Sequence, residues 1–301
     1  MVLEPGAQPE RAPAAPGQGL RPFYMWAGGK TRLIKYYRDV WPVTEGFTSY
    51  VEPFFGGGAV FCWMTNEHGH LTGTIGDRNV EVMGLLAEIR DHPRPFLDRV
   101  SRLVERYLAI PDHPDRKRWY YELRQAYWNR PGPATLYVLM RLGFNGIWQT
   151  CQGSGGLFGT PAGLLRHRVA EQVFDADLIT TWSRALSDVT IHAGSYESLE
   201  LPGRALIYLD PPYRHSFTTY STGFDDADQE ALVAWFIAAA DAGHRVLLSN
   251  RSPVGDTFFE ERLGDVADFH YFDVVYTAGR RKRTDDGFEA KPAREILVVS
   301  R

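Results

Sequence analysis

The sequence predicts an α/β fold, in which a parallel sheet is covered by helices and interrupted by a mostly helical insertion. Three observations predict it. Residues 206–209 form a short apolar run, typical of a strand buried on both faces. Residues 49–61 have the pattern of a strand, a glycine loop and a helix, which is a βα unit of parallel sheets. The β/α alternation stops over residues 80–172 and resumes near residue 189.

Length and composition agree with this prediction and restrict the function. The 301 residues are 44% hydrophobic, which suffices for a sizeable core, and the two cysteines are too few for a disulfide framework. No apolar run approaches the length of a membrane span. Residues 1–20, rich in Ala, Pro and Gly, are expected to form a disordered tail and contain no signal segment. We therefore expect a cytoplasmic protein with no membrane partner.

The apolar run at residues 206–209 ends in Asp210-Pro211-Pro212-Tyr213. Neither proline can donate to a sheet ladder, so the strand stops and presents a carboxylate, a carbonyl and an aromatic ring at its carboxyl end. Ligands bind at this edge of open α/β sheets. Taken alone, the segment is equally compatible with a capped strand end, and other parts of the chain decide between the two.

Two glycine-rich segments precede this strand. The first, Trp26-Ala27-Gly28-Gly29-Lys30-Thr31, is not a phosphate-binding loop, because that motif needs a glycine where this chain has Tyr24. It predicts either a tight turn that opens a helix or a loop where Trp26 approaches a ligand. The second, Gly56-Gly57-Gly58, lets the backbone approach a bound molecule closely, although a flexible turn is the alternative. Its spacing does not favour a dinucleotide.

Asp77 ends the next predicted strand, about 20 residues after the glycine loop. In nucleoside-binding α/β folds, an acidic residue at this place accepts hydrogen bonds from ribose hydroxyls. The alternative is that Asp77 caps the helix that starts near Asn79. The spacing favours the ribose role.

The insertion at residues 80–172 (the inserted region) carries a basic excess although the whole chain has a net charge of -4. Between residues 114 and 170, eight basic residues stand against two acidic ones, a local charge of +6. Such a surface suits phosphates, and interleaved aromatics can stack on bases, although much of the aromatic content is expected to form a small helical core. A second basic cluster, Arg280–Arg283, lies between the last two predicted strands.

The combination of these segments indicates a chemistry. A nucleoside-type site without a phosphate-binding signature points to a nucleoside that carries no phosphate, of which S-adenosylmethionine is the common one. Opposite its methyl group, Asp210 and the Pro211 carbonyl can accept hydrogen bonds from the exocyclic amine of a base. This pull favours a tetrahedral nitrogen whose lone pair faces the methyl group. The remaining catalytic effect comes from in-line positioning of the two reactants. Tyr213 would stack on the base, which must be flipped out of a duplex. No metal is expected, since the sequence has no His/Cys ligand cluster.

The segments Trp26–Lys30, Glu52–Gly58 and Asp210–Tyr213, in that order, resemble the motifs of the Dam-type (D12 class, α order) DNA adenine-N6 methyltransferases. Further matches follow at Phe217–Ser221, Gly223-Phe224, Asp228-Gln229 and Leu247–Asn250, so the resemblance covers residues 22–301. It implies a Rossmann-like S-adenosylmethionine-dependent methyltransferase fold. The implied catalytic domain spans residues 21–79 and 173–301, with a mostly helical target-recognition domain at residues 80–172.

The resemblance also implies roles for single residues. The implied cofactor-binding residues are Trp26, Lys30, Phe54, Gly56, Gly58, Asp77, Tyr196 and Asp210, and the implied catalytic residues are Asp210, Pro211 and Tyr213. Arg141–Gly163 matches a DNA-reading hairpin. The chain departs from the family pattern at Gly156–Gly159, where the family often has Gly-x-Phe-Asn. It departs again at Ser195-Tyr196, where the family often has an acidic residue.

Double-stranded DNA is the expected partner, bound by a monomer that releases S-adenosylhomocysteine. The predicted DNA contacts are Arg116, Lys117, Arg124, Arg141, Asn145 and Gln149. A cognate restriction endonuclease is a further candidate partner. Three alternatives stay open: a cytosine-N4 methyltransferase, which more often has Ser in place of Asp210, an RNA adenine methyltransferase, and a DNA-binding module without catalysis.

Overall fold

The computed structural model describes residues 19–301 except for 27, 43–45, 215–222, 277–282, 285–286 and 289–290. The match at Phe217–Ser221 and residues 280–282 of the second basic cluster therefore lie outside the described residues, as does the predicted tail up to residue 18. The last residue of that tail contradicts the prediction. Leu20 is buried and its N–H donates to the Asn66 side chain at 2.8 Å, so ordered structure begins before residue 21.

Seven strands of the described chain form the central sheet. They are β1 (Ser49–Glu52), β2 (Gly73–Asp77), β3 (Val189–Ala193), β4 (Ala205–Leu209), β5 (Arg245–Arg251), β6 (Ala267–Tyr276) and β9 (Lys291–Ser300). A small separate hairpin pairs β7 (Arg283–Thr284) with β8 (Gly287–Phe288). The order in the sheet is β3-β2-β1-β4-β5-β9-β6, with β1 to β5 parallel and β9 antiparallel to both of its neighbours.

The position of β1 determines where a ligand can bind. From β1 the chain first proceeds outward to β2 and β3, and later returns to place β4 on the other side of β1. This reversal of strand order is a topological switch point, and the carboxyl ends of β1 and β4 diverge there into different loops. The predicted glycine loop and Asp210 follow these two strands.

Helices cover both faces of the sheet. Those of the described chain are α1 (Ile34–Tyr37), α2 (Ala59–His68), α3 (Val80–Asp91), α4 (Pro93–Ala109), α5 (His113–Asn129), α6 (Pro133–Leu142), α7 (Ala176–Ala185), α8 (Asp226–Asp241) and α9 (Phe258–Leu263). All five residues of β4 are buried, and they alternate between two cores: Leu206 and Tyr208 face one, Ile207 and Leu209 the other. This burial on both faces explains why the strand is uniformly apolar.

The inserted region packs as a continuation of one of these cores. Helices α4, α5 and α6 bury Tyr107, Tyr120, Tyr127 and Tyr137 in the same cluster that contains the β1 residue Tyr50. The expectation that many of these aromatics form a helical core is therefore confirmed. After α6, residues 143–163 (the 143–163 loop) fold back on themselves, closed by a bridge between Gly143 and Ala162. The domain boundaries stay a prediction.

Most predicted elements are present, and the differences are at short ones. The helix expected after the Trp26–Thr31 segment is short: it consists of α1 and a preceding 3₁₀ turn at Lys30–Arg32. Helix α9 and the β7–β8 hairpin were not predicted. None of the helices in the described part of the chain is long and apolar enough to span a membrane.

Candidate active site

A pocket of about 810 Å³ opens at the carboxyl ends of β1, β2 and β4. It contains every residue that the sequence analysis assigned to cofactor binding or catalysis: Trp26, Lys30, Phe54, Gly56, Gly58, Asp77, Tyr196, Asp210, Pro211 and Tyr213. The structure thus brings together residues up to 187 positions apart in the chain.

Asp210 occupies the end of β4, where the two prolines stop the strand. Lys30 Nζ lies 2.6 Å from its carboxylate and also donates to the Gly28 carbonyl at 3.1 Å. On the other side, the Ser249 hydroxyl donates to Asp210 Oδ1 at 3.0 Å and itself accepts from Tyr208 at 2.9 Å. The carboxylate is therefore held by a cation and a hydroxyl. Two oxygens offer about four acceptor positions, so these two donors leave capacity for more.

Tyr213 lies beside this ion pair, and its hydroxyl is held by Glu295. Its hydroxyl donates to Glu295 Oε2 at 2.7 Å, and Lys30 Nζ lies 4.8 Å from its ring centroid. Glu295, on β9, is fully buried, and burial raises its pKa to about 7 against the opposing effects of Tyr213 and Lys30. Burial and the charge of Asp210 raise the pKa of Tyr213 well above its usual value, so the phenol stays protonated.

The glycine loop is anchored by Asp77. Asp77 Oδ2 accepts from the Gly56 N–H at 2.9 Å, and Oδ1 accepts from the Asn79 N–H at 2.8 Å. Asp77 therefore supports the turn before α3 and also lines the pocket, while its contact with a ribose stays a prediction. Asn79 itself caps α3 by accepting from Val82 N–H. Burial raises the pKa of Asp77, and the two backbone donors oppose that rise.

Gly58 shows why the loop needs glycine. It precedes α2 with a φ of +66°, in the left-handed region that other residues avoid. A Cβ there would lie 2.5 Å from the Phe55 ring. At Gly57 a Cβ would lie 2.9 Å from Trp26 Cβ, so the Trp26 segment packs directly on the loop.

Glu52 is a pocket residue that the sequence analysis quoted only as part of a motif. It ends β1, is buried, and accepts a hydrogen bond from Tyr50 at 2.7 Å. Burial raises its pKa to about 8, and the neighbouring charge of Asp210 adds to the rise. A signal was available: Glu52-Pro53 repeats the arrangement of Asp210-Pro211, a carboxylate at a strand end before a proline.

Aromatic side chains form another wall of the pocket. Phe54 lies with its ring centroid 5.2 Å from Tyr196 and 6.0 Å from Phe224. Tyr196, of the Ser195-Tyr196 turn, is buried in this cluster. This wall offers apolar ring faces to a planar ligand.

The inserted region also reaches the pocket, which the sequence analysis did not predict. Ile147, Trp148, Thr150 and Gly156 of the 143–163 loop line it. The Trp148 ring lies 5.7 Å from Trp26 and 5.1 Å from Phe158. Nothing in the local sequence of the loop indicated this contact, since it depends on how the insertion folds back.

The structure corrects part of the predicted DNA surface. Arg116 is buried, and its guanidinium donates to the carbonyls of Ile110, Leu165 and His167 at 2.7–3.2 Å. Arg124 likewise donates to the carbonyls of Gly159 and Thr160. These guanidinium groups therefore stabilise the fold, a role that the sequence analysis did not predict. The contact of Arg124 with DNA stays a prediction.

The remaining predicted DNA contacts differ among themselves. Arg141 donates to the carbonyls of Phe23 and Val173, and so ties the inserted region to the chain on either side of it. Lys117 and Asn145 are exposed and Gln149 is half-buried. Asn145 adopts a left-handed conformation with φ of +51°, which Asn tolerates better than most residues. Their contact with DNA stays a prediction.

Within the described residues, no group of three or more His, Cys, Asp or Glu side chains is arranged to hold a metal ion. The pocket instead combines carboxylates, one buried lysine, a glycine loop and aromatic rings.

Comparison with known proteins decides the family. The profile of the D12 class N6 adenine-specific DNA methyltransferases matches residues 26–279, which is most of the chain. The chain belongs to this family. Membership in this family, together with the mostly parallel seven-stranded sheet, confirms the predicted fold class. Membership also confirms the predicted reaction, N6 methylation of adenine in DNA.

Individual relatives agree with the family assignment. The chain is 27% identical to the type II methyltransferase M.MjaIII of Methanocaldococcus jannaschii over 77% of its own length and 84% of the relative's. It is 28% identical to M1.LlaDCHI of Lactococcus lactis subsp. cremoris, with 80% and 85% covered. With the retron Ec67 DNA adenine methylase of Escherichia coli it shares 26% identity, with 91% and 90% covered.

Proposed function

We propose that the protein transfers a methyl group from S-adenosylmethionine to N6 of an adenine flipped out of double-stranded DNA. The observation that carries the proposal is that two segments of the chain line the same pocket. They are the strand end Asp210-Pro211-Pro212-Tyr213 and the glycine loop that Asp77 anchors. The first suits an exocyclic amine, and the second suits a nucleoside.

The pocket fits S-adenosylmethionine in size and chemistry. Its volume lies within the range of small-molecule sites, and its lining holds four acidic side chains, from Glu52, Asp77, Glu81 and Asp210, which suit a cationic ligand. Asp77 would accept hydrogen bonds from the ribose, and Phe54 and Tyr196 would contact the adenine ring of the cofactor. When bound, the cofactor supplies an electrophilic methyl group. S-adenosylhomocysteine is the expected product.

Asp210 and the Pro211 carbonyl would grip the amino group of the target adenine. Both are acceptors, and together they can bind both hydrogens of the amine, leaving its lone pair free for the methyl group. Tyr213, held by Glu295, would stack on the base. Well-oriented reactions gain roughly 7–11 kcal/mol from such positioning. Lys30 already donates to Asp210, so it must share the carboxylate with the amine or be displaced by it.

The inserted region would bind the duplex, since a base inside a duplex lies out of reach of the pocket. We propose Asn145 and Gln149 on the 143–163 loop as candidates for contacts with bases, and Lys117 for contacts with phosphates. The arginines that donate to backbone carbonyls would stabilise the fold of this surface and make few of its contacts with DNA.

The names of the relatives support a biological role. Two of those described above are named type II methyltransferases, which supports site-specific methylation alongside a cognate restriction endonuclease. DNA as substrate supports action in the cytoplasm. We also propose that the protein acts as a monomer.

The test is expression in a host that lacks DNA methylation, followed by sequencing of genomic DNA for modified bases. We expect N6-methyladenine at one short motif, and labelled methyl transfer from S-adenosylmethionine to unmethylated DNA in vitro. N4-methylcytosine, or transfer to RNA alone, would contradict the proposal. DNA binding without any transfer would favour a module that has lost catalysis.

A further inference from the structure

One wall of the cofactor pocket belongs to the inserted region. The 143–163 loop contributes Trp148 and Thr150 to the pocket lining. The same loop carries Asn145 and Gln149, the candidates for base contacts. A loop that lines the cofactor pocket and also carries the candidate DNA contacts can transmit information between the two ligands.

Glu81 connects this loop to the rest of the pocket. It lies in the first turn of α3, four residues after Asp77, and its side chain lines the pocket. Glu81 Oε1 accepts from the Phe158 N–H of the loop at 3.2 Å and from the Tyr127 hydroxyl of α5. One carboxylate oxygen thus holds two separate elements of the inserted region.

The contacts continue around the pocket to the glycine loop. The Phe158 ring packs on Trp148, and Trp148 packs on Trp26. Trp26 in turn lies against Gly56 and Gly57, so closely that a Cβ on either would meet it at 2.9 Å. Asp77, which binds the Gly56 N–H, leads back to α3 and Glu81. These contacts therefore form a continuous ring around the cofactor site.

We propose that Glu81 is a positioning residue that couples occupancy of the cofactor pocket to the affinity for DNA; this rests on the proposed function. A ligand that fills the pocket removes water from beside the Glu81 carboxylate. Hydrogen bonds strengthen when water is excluded, so the bonds to Phe158 and Tyr127 become tighter. The 143–163 loop is then fixed in one arrangement, and DNA meets a preorganised surface.

The partial burial of Glu81 supports this mechanism. Burial raises the pKa of its carboxyl while the bonds from Tyr127 and Phe158 oppose the rise. The two donors thus compensate for lost hydration, and the balance responds to how much water the pocket admits. By thermodynamic linkage, DNA must increase the affinity for the cofactor by the same factor that the cofactor increases the affinity for DNA.

The test measures this factor directly. The affinity of the full-length protein for a duplex that carries the enzyme's target motif is measured by fluorescence anisotropy, with and without saturating S-adenosylhomocysteine. We expect the wild type to bind the duplex at least about fivefold more tightly with S-adenosylhomocysteine, the lower end of typical couplings. In Glu81→Ala this factor should fall towards 1, while the affinity for S-adenosylhomocysteine alone changes less.

Two further variants separate coupling from damage to the fold. Tyr127→Phe removes one donor but keeps the bond from Phe158, and an intermediate factor is expected. Glu88→Ala is the matched control, because Glu88 lies on the same helix but pairs with Arg99 and does not line the pocket. It should keep the wild-type factor.

The inference is overturned if Glu81→Ala and Tyr127→Phe both keep the coupling factor of the wild type. It is also overturned if the wild-type protein binds S-adenosylhomocysteine and DNA independently of each other. The latter result would leave the proposed function intact. A wild type that binds neither S-adenosylhomocysteine nor DNA would refute the proposed function and the inference with it.

Discussion

The edge of the sheet and the inserted region both carry charges that the sequence associates with ligands, but they use those charges differently. At the edge, Lys30 and Asp210 come from segments 180 residues apart and meet at 2.6 Å inside the pocket. In the inserted region, Arg116 and Arg124 donate to backbone carbonyls of their own region. One set of charges faces a ligand site, and the other set stabilises loops.

The reason is geometric. A residue directly after a parallel strand has a fixed position, because the carboxyl ends of neighbouring strands meet at one edge. A residue on a helix of unknown packing has no such constraint. The five donors of a guanidinium also suit the carbonyls of an irregular segment such as residues 163–168. A local charge of +6 therefore overstates how much positive charge the surface offers to DNA.

The largest expected effect lies at the sheet edge. Asp210→Ala removes the acceptor for the amino group and the partner of Lys30. We expect methyl transfer to fall by a factor of about 10³ or more, since the positioning of the amine depends on it. Binding of S-adenosylmethionine should be partly retained. Single-turnover transfer of labelled methyl, together with calorimetric titration of the cofactor, measures both.

Asp188→Ala is the control for this prediction. Asp188 is an exposed carboxylate just before β3 that pairs with His70, away from the pocket. Its loss should leave transfer unchanged. Equal turnover in Asp210→Ala and the wild type would show that the strand end is only a capped turn, the alternative that the sequence left open.

The second effect concerns Arg116 and the inserted region. Arg116→Met keeps the aliphatic stem but leaves the carbonyls of Leu165 and His167 without their charged donor. We expect a loss of about 3 kcal/mol in the free energy of unfolding, because hydrogen bonds to charged groups contribute about 1.5–3 kcal/mol each. Urea denaturation measures it. Arg118→Met is the matched control, since Arg118 is exposed and pairs with Asp115 on the surface; a similar loss in both variants would contradict a structural role for Arg116.

The same contrast determines what the sequence could predict. The strands β1, β2 and β4, the glycine loop after β1 and the position of Asp210 at the end of β4 follow from local patterns: apolar runs, three successive glycines and two prolines. The contacts of Trp148 and Glu81 with the pocket and of Glu295 with Tyr213 do not, because each depends on packing between distant segments. Arg116 belongs to this second group. Its residue type predicted a charge, and only the folded loop shows which acceptors that charge meets.

A third prediction uses the buried carboxyls near Asp210. Burial raises the pKa of Glu52 to about 8 and that of Glu295 to about 7, both from an ordinary value of 4.5. The folded state therefore binds these protons more tightly than the unfolded state, and stability should fall as the pH rises from about 4.5 through 7 to 8. Denaturant midpoints at pH 5.5, 7.0 and 8.5 test this fall.

Glu295→Gln should remove part of that pH dependence. The substitution replaces an ionisable group by a neutral one that still accepts from Tyr213, so the decline in stability between pH 5.5 and 8.5 should shrink by on the order of 2 kcal/mol. Glu230→Gln is the control, because Glu230 is an exposed partner of Arg262. If Glu295→Gln leaves the whole slope in place, Glu295 already ionises freely in the folded protein.

The smallest expected effect concerns the part of the basic excess that remains exposed. Lys117 extends from α5 into solvent next to the buried Arg116. We expect Lys117→Glu to weaken binding to all DNA sequences alike and to lower the slope of log affinity against log salt by about 1, the contribution of one phosphate contact. Lys35→Glu, an equal charge reversal at an exposed site outside the inserted region, is the control. Anisotropy titrations between 50 and 200 mM salt, the range over which phosphate contacts change affinity strongly, are the measurement. If the two variants have the same slope as the wild type, Lys117 lies off the DNA, and the positive charges of the inserted region then serve its fold far more than its substrate.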